Sequence, residues 1–127
     1  MQQSKFSIKK RIKSFSFAFN GLKLLIKEEH NIRIHVFATI CVVVLGLVLS
    51  LSAWEWVAIV FSIGFVFAME AVNSAIERIA DFISPQKHDM IKKIKDISAA
   101  FVLMAALTAL IVGLIIFIPK LLLLLHI

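Results

Sequence analysis

Residues 70–81 read E-A-V-N-S-A-I-E-R-I-A-D, and they close a run that begins near Trp56 and is apolar almost throughout. Glu70, Asn73, Glu77 and Asp81 fall at i, i+3, i+7 and i+11, which places them on one face of one helix. At 1.5 Å per residue, Glu70 and Glu77 stand about 10 Å apart along the axis. A run this apolar would be a buried or membrane helix, and carboxylates there are costly enough to be kept mainly for function.

The rest of the chain decides between the two. Of its 127 residues, 61% are hydrophobic and the mean hydropathy is +0.97. Soluble domains hold about 45–50% apolar residues, so lipid is the expected solvent. Ile34 to Leu51 is broken only by His35, Thr39 and Ser50, and a third apolar run extends from Ile97 to Ile118. The expected fold is therefore an all-α membrane protein, a single domain over 1–127 with transmembrane helices at 34–51, 56–79 and 97–118. Each run has enough residues for a hydrocarbon core about 30 Å thick. No small-residue cleavage site follows the first, so it is expected to stay as an anchor.

Ahead of these runs, Ile12, Phe15, Phe19, Leu22 and Ile26 recur at spacings of three and four, with Lys9, Lys13, Lys23 and Lys27 on the opposite side. This pattern predicts an N-terminal amphipathic interfacial helix over 6–29, its cations near anionic membrane lipids.

Charge sets orientation. The formal net charge is +6, and thirteen of the fourteen Lys and Arg lie in the N-terminal segment or between Arg78 and Lys95. They flank apolar runs rather than forming one patch, so no nucleic-acid partner is expected. By the positive-inside rule the N-terminus and the polar 81–96 loop face the cytoplasm. The Ser52–Glu55 turn, with Trp54 and Trp56 as an aromatic belt, lies outside, as does the tail beyond Lys120. Leu121–Leu125 reads as a hydrophobic tail. The single cysteine, Cys41, excludes an intrachain disulfide.

The polar residues gather on the cytoplasmic side. Glu28 and Glu29 end the amphipathic helix, and His88, Lys92, Lys93, Lys95 and Asp96 populate the facing loop. Carboxylates from two segments suit a hard cation such as Mg²⁺, and lysines suit phosphate. A deep Glu suits a general base for a lipid hydroxyl. His35 reads as an interfacial residue rather than a metal ligand. Three helices alone leave one face of the second span short of partners, so a homo-oligomer is expected to screen Glu70, Asn73 and Glu77. No G-x-x-x-x-G-K-[ST], H-R-D or D-F-G motif occurs, which excludes the soluble kinase folds. A small proton-coupled transporter is the rival reading, because such proteins also place a Glu in the membrane.

Four segments carry a family likeness: SFSFAFNGL (14–22), EEHNIRIH (28–35), EAVNSAIERIAD (70–81) and KIKDISAA (93–100). They resemble the prokaryotic diacylglycerol kinases, a family that includes the undecaprenol kinases, over about residues 10–118. The resemblance implies a bacterial inner-membrane, multi-pass homotrimer with shared active sites, using ATP and Mg²⁺ to phosphorylate a lipid alcohol. It assigns Glu70 as catalytic base, Asn73 as the active-site amide, and Glu29 and Glu77 as metal ligands that also meet ATP. Lys10, Phe17, Gln86, Lys87, His88, Lys95 and Asp96 align with nucleotide-contacting positions. Enterobacterial members carry Arg, Tyr and Trp where this chain has Lys10, Phe17 and Phe19, so no hydroxyl stands at position 17. The N-I-R-I-H string after Glu29 looks more like the undecaprenol kinases and favours a polyprenol substrate.

Overall fold

The computed structural model describes residues 5–127 as four helices: α1 (Ile8–Glu28), α2 (His30–Val48), α3 (Ala53–Ile83) and α4 (Asp89–Leu124). No strand occurs among these residues. The last three are long and apolar enough to cross a membrane.

An elbow at Glu29 separates α1 from α2. Its backbone is extended (φ −105°, ψ 113°), so it ends one helix and opens the next. Arg33 locks the elbow by reaching back, donating from Nε to the Ile26 carbonyl at 2.9 Å and from its terminal nitrogen to the Lys27 carbonyl. A cation on the last carbonyls of a helix both satisfies them and complements the helix dipole. Ser7 caps the other end of α1, accepting from the Lys10 amide. No residue of α1 is buried, as an interfacial helix requires of a chain without its lipid.

At the opposite end, α2 turns into α3 through a Schellman motif. The Ser50 amide donates to the Leu47 carbonyl and the Leu51 amide to the Gly46 carbonyl, with Ser50 at φ 54°. A Cβ on Gly46 would come within 2.7 Å of the Trp56 ring and 2.9 Å of the Leu51 side chain, so the bare backbone lets them pack here. Ser52 then opens α3 with a capping box, in which the Ser52 hydroxyl takes the Glu55 amide and the Glu55 carboxylate takes the Ser52 amide. Around this corner sits the apolar core: Leu51, Ile59, Ile116 and Phe117, flanked by Leu45, Trp56 and Leu121.

Several boundaries differ from the sequence reading, for one physical reason: apolar runs stop at the first charge, whereas backbone hydrogen bonds do not. The 81–96 segment is mostly helix, because α3 continues to Ile83 and α4 starts at Asp89, leaving a linker of only 84–88. Ala53–Glu55 is the first turn of α3 rather than a loop. Trp54 is 83% exposed and suits an interfacial belt, but Trp56 packs against the core. Pro119 does not end the third span. It lies inside α4, where its missing N–H leaves a single gap in the ladder, a gap membrane helices tolerate. The Leu121–Leu125 run is accordingly the last turn of that helix and not a separate tail, and a second Schellman pair at His126 and Ile127 closes it.

Candidate active site

The C-terminal half of α3 is held by polar contacts to α2, α4 and the elbow, beginning with Glu70. This residue is 5% exposed within a single chain. Its Oε1 lies 2.9 Å from Nε2 of His35 on α2. An ionised carboxylate offers only acceptors, so the contact requires the proton on Nε2. The His35 ring also meets Phe67 edge-on, at 6.2 Å and 68° between planes. Thr39 donates to the His35 carbonyl at 2.7 Å. Beside His35, a cavity of about 400 Å³ opens among α2, α3 and α4, lined by His35, Val42, Leu45, Ile63, Val66, Leu114 and further mostly apolar side chains.

One turn further, Ser98 of α4 donates to Asn73 Oδ1 at 2.6 Å. Ser98 and Ser74 are both buried, and small hydroxyl residues there let α3, α4 and the elbow approach closely. Ser74 donates to Glu29 Oε1 at 2.6 Å. Arg78 spans the same elbow, reaching Glu28 Oε2 at 2.8 Å and Glu29 Oε1 at 3.3 Å. At the end of α3, Lys95 donates to Asp81 Oδ1. Among the described residues, no buried side-chain nitrogen or oxygen lacks a partner.

The structure thus brings together α2, α3, α4 and the elbow around one stripe, and the expected residues distribute along it unevenly. Glu70 and Asn73 line its inner part. Glu77 is half-buried one turn from Asp81, and Glu29 sits at the elbow with Ser74 and Arg78. Among the described residues, no three Asp, Glu, His or Cys side chains form a ready metal cluster. The donor chemistry of Glu29 and Glu77 still fits Mg²⁺, which takes one or two carboxylates and completes its shell with water and substrate phosphate. Of the nucleotide candidates, Gln86 and Lys87 lie in the 84–88 linker. His88 caps α4, its Nδ1 accepting from the Met90 amide at 3.1 Å. Lys95 and Asp96 stand on the second turn of α4, Asp96 paired with Lys92 at 2.6 Å. Lys10 and Phe17 are exposed on α1.

Two residues escaped the sequence reading. The sequence places His35 only at the interface, whereas its Nε2 lies against Glu70. Arg78 reads in sequence only as a topology charge, whereas it ties α3 to Glu28 and Glu29. The signal for Arg78 was its i+4 spacing from Ser74 on the face next to the carboxylate stripe. A single chain already buries Glu70 through His35 and the packing of α2 and α4, while Asn73 and Glu77 stay half-buried.

The family model for prokaryotic diacylglycerol kinase matches residues 16–117. The undecaprenol kinase of Bacillus subtilis is 38% identical over 109 residues, covering 86% of this chain and 89% of that protein. The diacylglycerol kinase of Escherichia coli K12 is 31% identical over 100 residues, covering 79% and 82%. That of a Synechocystis species is 33% identical over 110 residues, covering 86% of this chain and 63% of the relative. On the extent of that match and the identity to these lipid kinases, the chain belongs to the prokaryotic diacylglycerol kinase family.

Proposed function

We propose that this protein transfers the γ-phosphoryl group of ATP directly to the hydroxyl of a membrane lipid alcohol at the cytoplasmic face, with Glu70 as the base. The observation that carries the reading is a buried carboxylate at the end of a polar stripe, held on one oxygen by His35, which itself lines an apolar cavity. A lipid tail in the cavity would bring its hydroxyl to Glu70, and the nucleotide would lie toward the 84–96 segment. The cavity lies within the size range of ligand sites and has room for part of one hydrocarbon chain.

Glu70 accepts the hydroxyl proton as the alkoxide oxygen attacks phosphorus and ADP leaves. Such transfers are mainly a matter of positioning and charge stabilisation. Glu29 and Glu77 would hold Mg²⁺, which when bound neutralises phosphate charge. Glu29 has to loosen its contact with Arg78 to serve, and Arg78 then keeps Glu28 as its anion. Lys95 and Lys92 are cations within reach of the same face of α4. Asn73, fixed by Ser98, orients the reacting groups next to Glu70. Trimerisation, by likeness to the family, would cover the apolar faces left on all four helices, and sites shared between protomers follow from the same likeness.

A proton-coupled transporter would need the polar stripe to continue across the bilayer. Here it ends at Glu70, and the outer half of α3 is packed with apolar residues, so the kinase reading is favoured. The N-I-R-I-H string and the B. subtilis relative favour a polyprenol over diacylglycerol. Purified protein given undecaprenol, diacylglycerol and radiolabelled ATP in competition tests the function and the substrate together. Label in the polyprenol fraction is expected; label in neither lipid overturns the kinase reading.

Orientation is tested separately by single cysteines at Ser52 and Ser84 in a Cys41→Ala background. With an impermeant thiol reagent on intact cells, only Ser52→Cys is expected to react, since ATP is a cytoplasmic substrate and the basic segments face it.

A further inference from the structure

His35 is the one polar side chain on α2 that reaches the carboxylate stripe. An ionised Glu70 at membrane depth has no Lys or Arg partner on its own helix between Trp56 and Glu77, and the cavity that His35 lines is apolar. A buried carboxylate without a donor is strongly disfavoured. His35 supplies that donor from a neighbouring helix, and its own position is constrained on two sides. Phe67 meets the ring edge, and Thr39 ties the backbone carbonyl one turn away. The bond engages Oε1 alone, which leaves Oε2 for another proton.

We infer that His35 is a positioning residue of the reaction: its Nε2–H holds Glu70 Oε1 so that the free Oε2 faces the lipid hydroxyl at the rim of the cavity. This rests on the kinase reading above and adds a residue to it. His35 touches neither phosphate nor metal, and it acts through Glu70. Its removal therefore lowers the rate of the chemical step without weakening nucleotide binding. A group that matters only in the transition state changes kcat rather than uniform binding.

Two amide replacements separate this role from general structural support. The amide nitrogen of Gln reaches about as far as histidine Nε2, whereas that of Asn stops short, near Nδ1. Both are polar, neutral and similar in size, so a fold that merely needs a polar group at position 35 accepts either. His35→Gln is expected to keep kcat within about threefold of wild type. His35→Asn is expected to lose at least about tenfold in kcat, the scale of a hydrogen bond to a charged group, with KM for Mg·ATP unchanged. In a Glu70→Gln background, His35→Asn should cause no further loss, because the group it positions can no longer take a proton.

Initial rates of lipid phosphorylation in mixed micelles, with the thermal midpoint of each variant alongside, provide the readout. Equal rates for His35→Asn and His35→Gln, whether both high or both low, overturn the inference. So does a further loss in the Glu70→Gln background, or a loss expressed wholly in KM for Mg·ATP. A wild-type protein that phosphorylates no lipid alcohol overturns the kinase reading and this inference with it. An active wild type with indistinguishable Asn and Gln variants overturns the inference alone.

Discussion

The two halves of α3 are held in opposite ways. From Ala53 to Val66 the helix is fastened by hydrocarbon: Trp56 on Gly46, Ile59 against Phe117 and Leu51, and a capping box at the start. From Glu70 to Asp81 it is tied to its neighbours by a series of polar contacts: His35 on Glu70, Ser98 on Asn73, Glu29 on Ser74, Lys95 on Asp81. Within lipid, the first kind of packing needs only shape, while the second obliges each group to have a partner. The apolar half therefore carries the fold, and the polar half, costlier to build, holds the residues proposed above for the chemistry. If that division holds, substitutions in the inner half strike turnover before stability, and those in the outer half do the reverse.

The largest effect is expected from Glu70→Gln. The amide keeps the shape and a hydrogen-bonding partner for His35 but cannot take a proton. Turnover should fall at least ~100-fold, the range for loss of a general base, with the thermal midpoint little changed. Initial-rate assays with lipid alcohol and ATP give the measurement. Near-normal turnover in folded Gln protein would remove the inner half's claim to catalysis.

Next come Glu29→Ala and Glu77→Ala. Each should raise the Mg²⁺ concentration needed for half-maximal activity, because Mg²⁺ sites of this type rest on one or two carboxylates. The Glu29 variant should also lose the Ser74 bond and one of Arg78's two anions, which loosens the elbow, so its thermal midpoint should fall more than that of the Glu77 variant. A metal titration of both proteins separates the effects. Unchanged metal dependence in both would return these carboxylates to a structural role.

Gly46→Ala probes the other half. The added methyl would sit 2.7 Å from the rigid Trp56 ring, closer than unperturbed packing permits. Overpacking of this kind costs about 1–3 kcal/mol. The variant should melt earlier in detergent while its kcat at a temperature well below melting stays at the wild-type level. A drop in kcat without loss of stability would show that the outer corner is coupled to the reaction, against the division drawn above.

How much of this was legible beforehand follows the same division. The three spans, the interfacial helix and the face carrying Glu70, Asn73 and Glu77 could be read because hydrophobicity and helical period are properties of single segments. The ends of the helices could not, since Pro119 and residues 89–96 look like breakers and loop to a hydropathy count yet satisfy their backbone bonds within α4. Contacts between segments were hidden as well. His35 and Glu70 stand 35 residues apart, Glu29 and Ser74 45 apart, and no local pattern pairs them. Gly46 is the intermediate case: a glycine in an apolar run is visible, but the ring that fills its missing side chain belongs to another helix.

The smallest effect is expected at the outer rim, where Lys120 of α4 meets Glu55 of α3 at 3.2 Å. At first sight this pair contradicts the division, since it is a polar tie in the apolar half. Glu55 is already occupied, however: its Oε2 accepts from the Ser52 amide at 2.8 Å to complete the capping box. Lys120 therefore adds a second donor to a carboxylate whose conformation the helix start has fixed. Both side chains are only partly covered, at 25% and 30% exposure, and pairs open to water contribute little because hydration and salt compete with them. Lys120→Met keeps a long apolar side chain and removes only the charge. The thermal midpoint should move by less than in Gly46→Ala, and kcat should not move at all. If the Met variant instead melts earlier than Gly46→Ala, the ion pair and not the Gly46–Trp56 corner holds the outer half together. Repeating the melt at high salt then decides the matter, because a dominant ion pair would make the wild type salt-sensitive and the Met variant not.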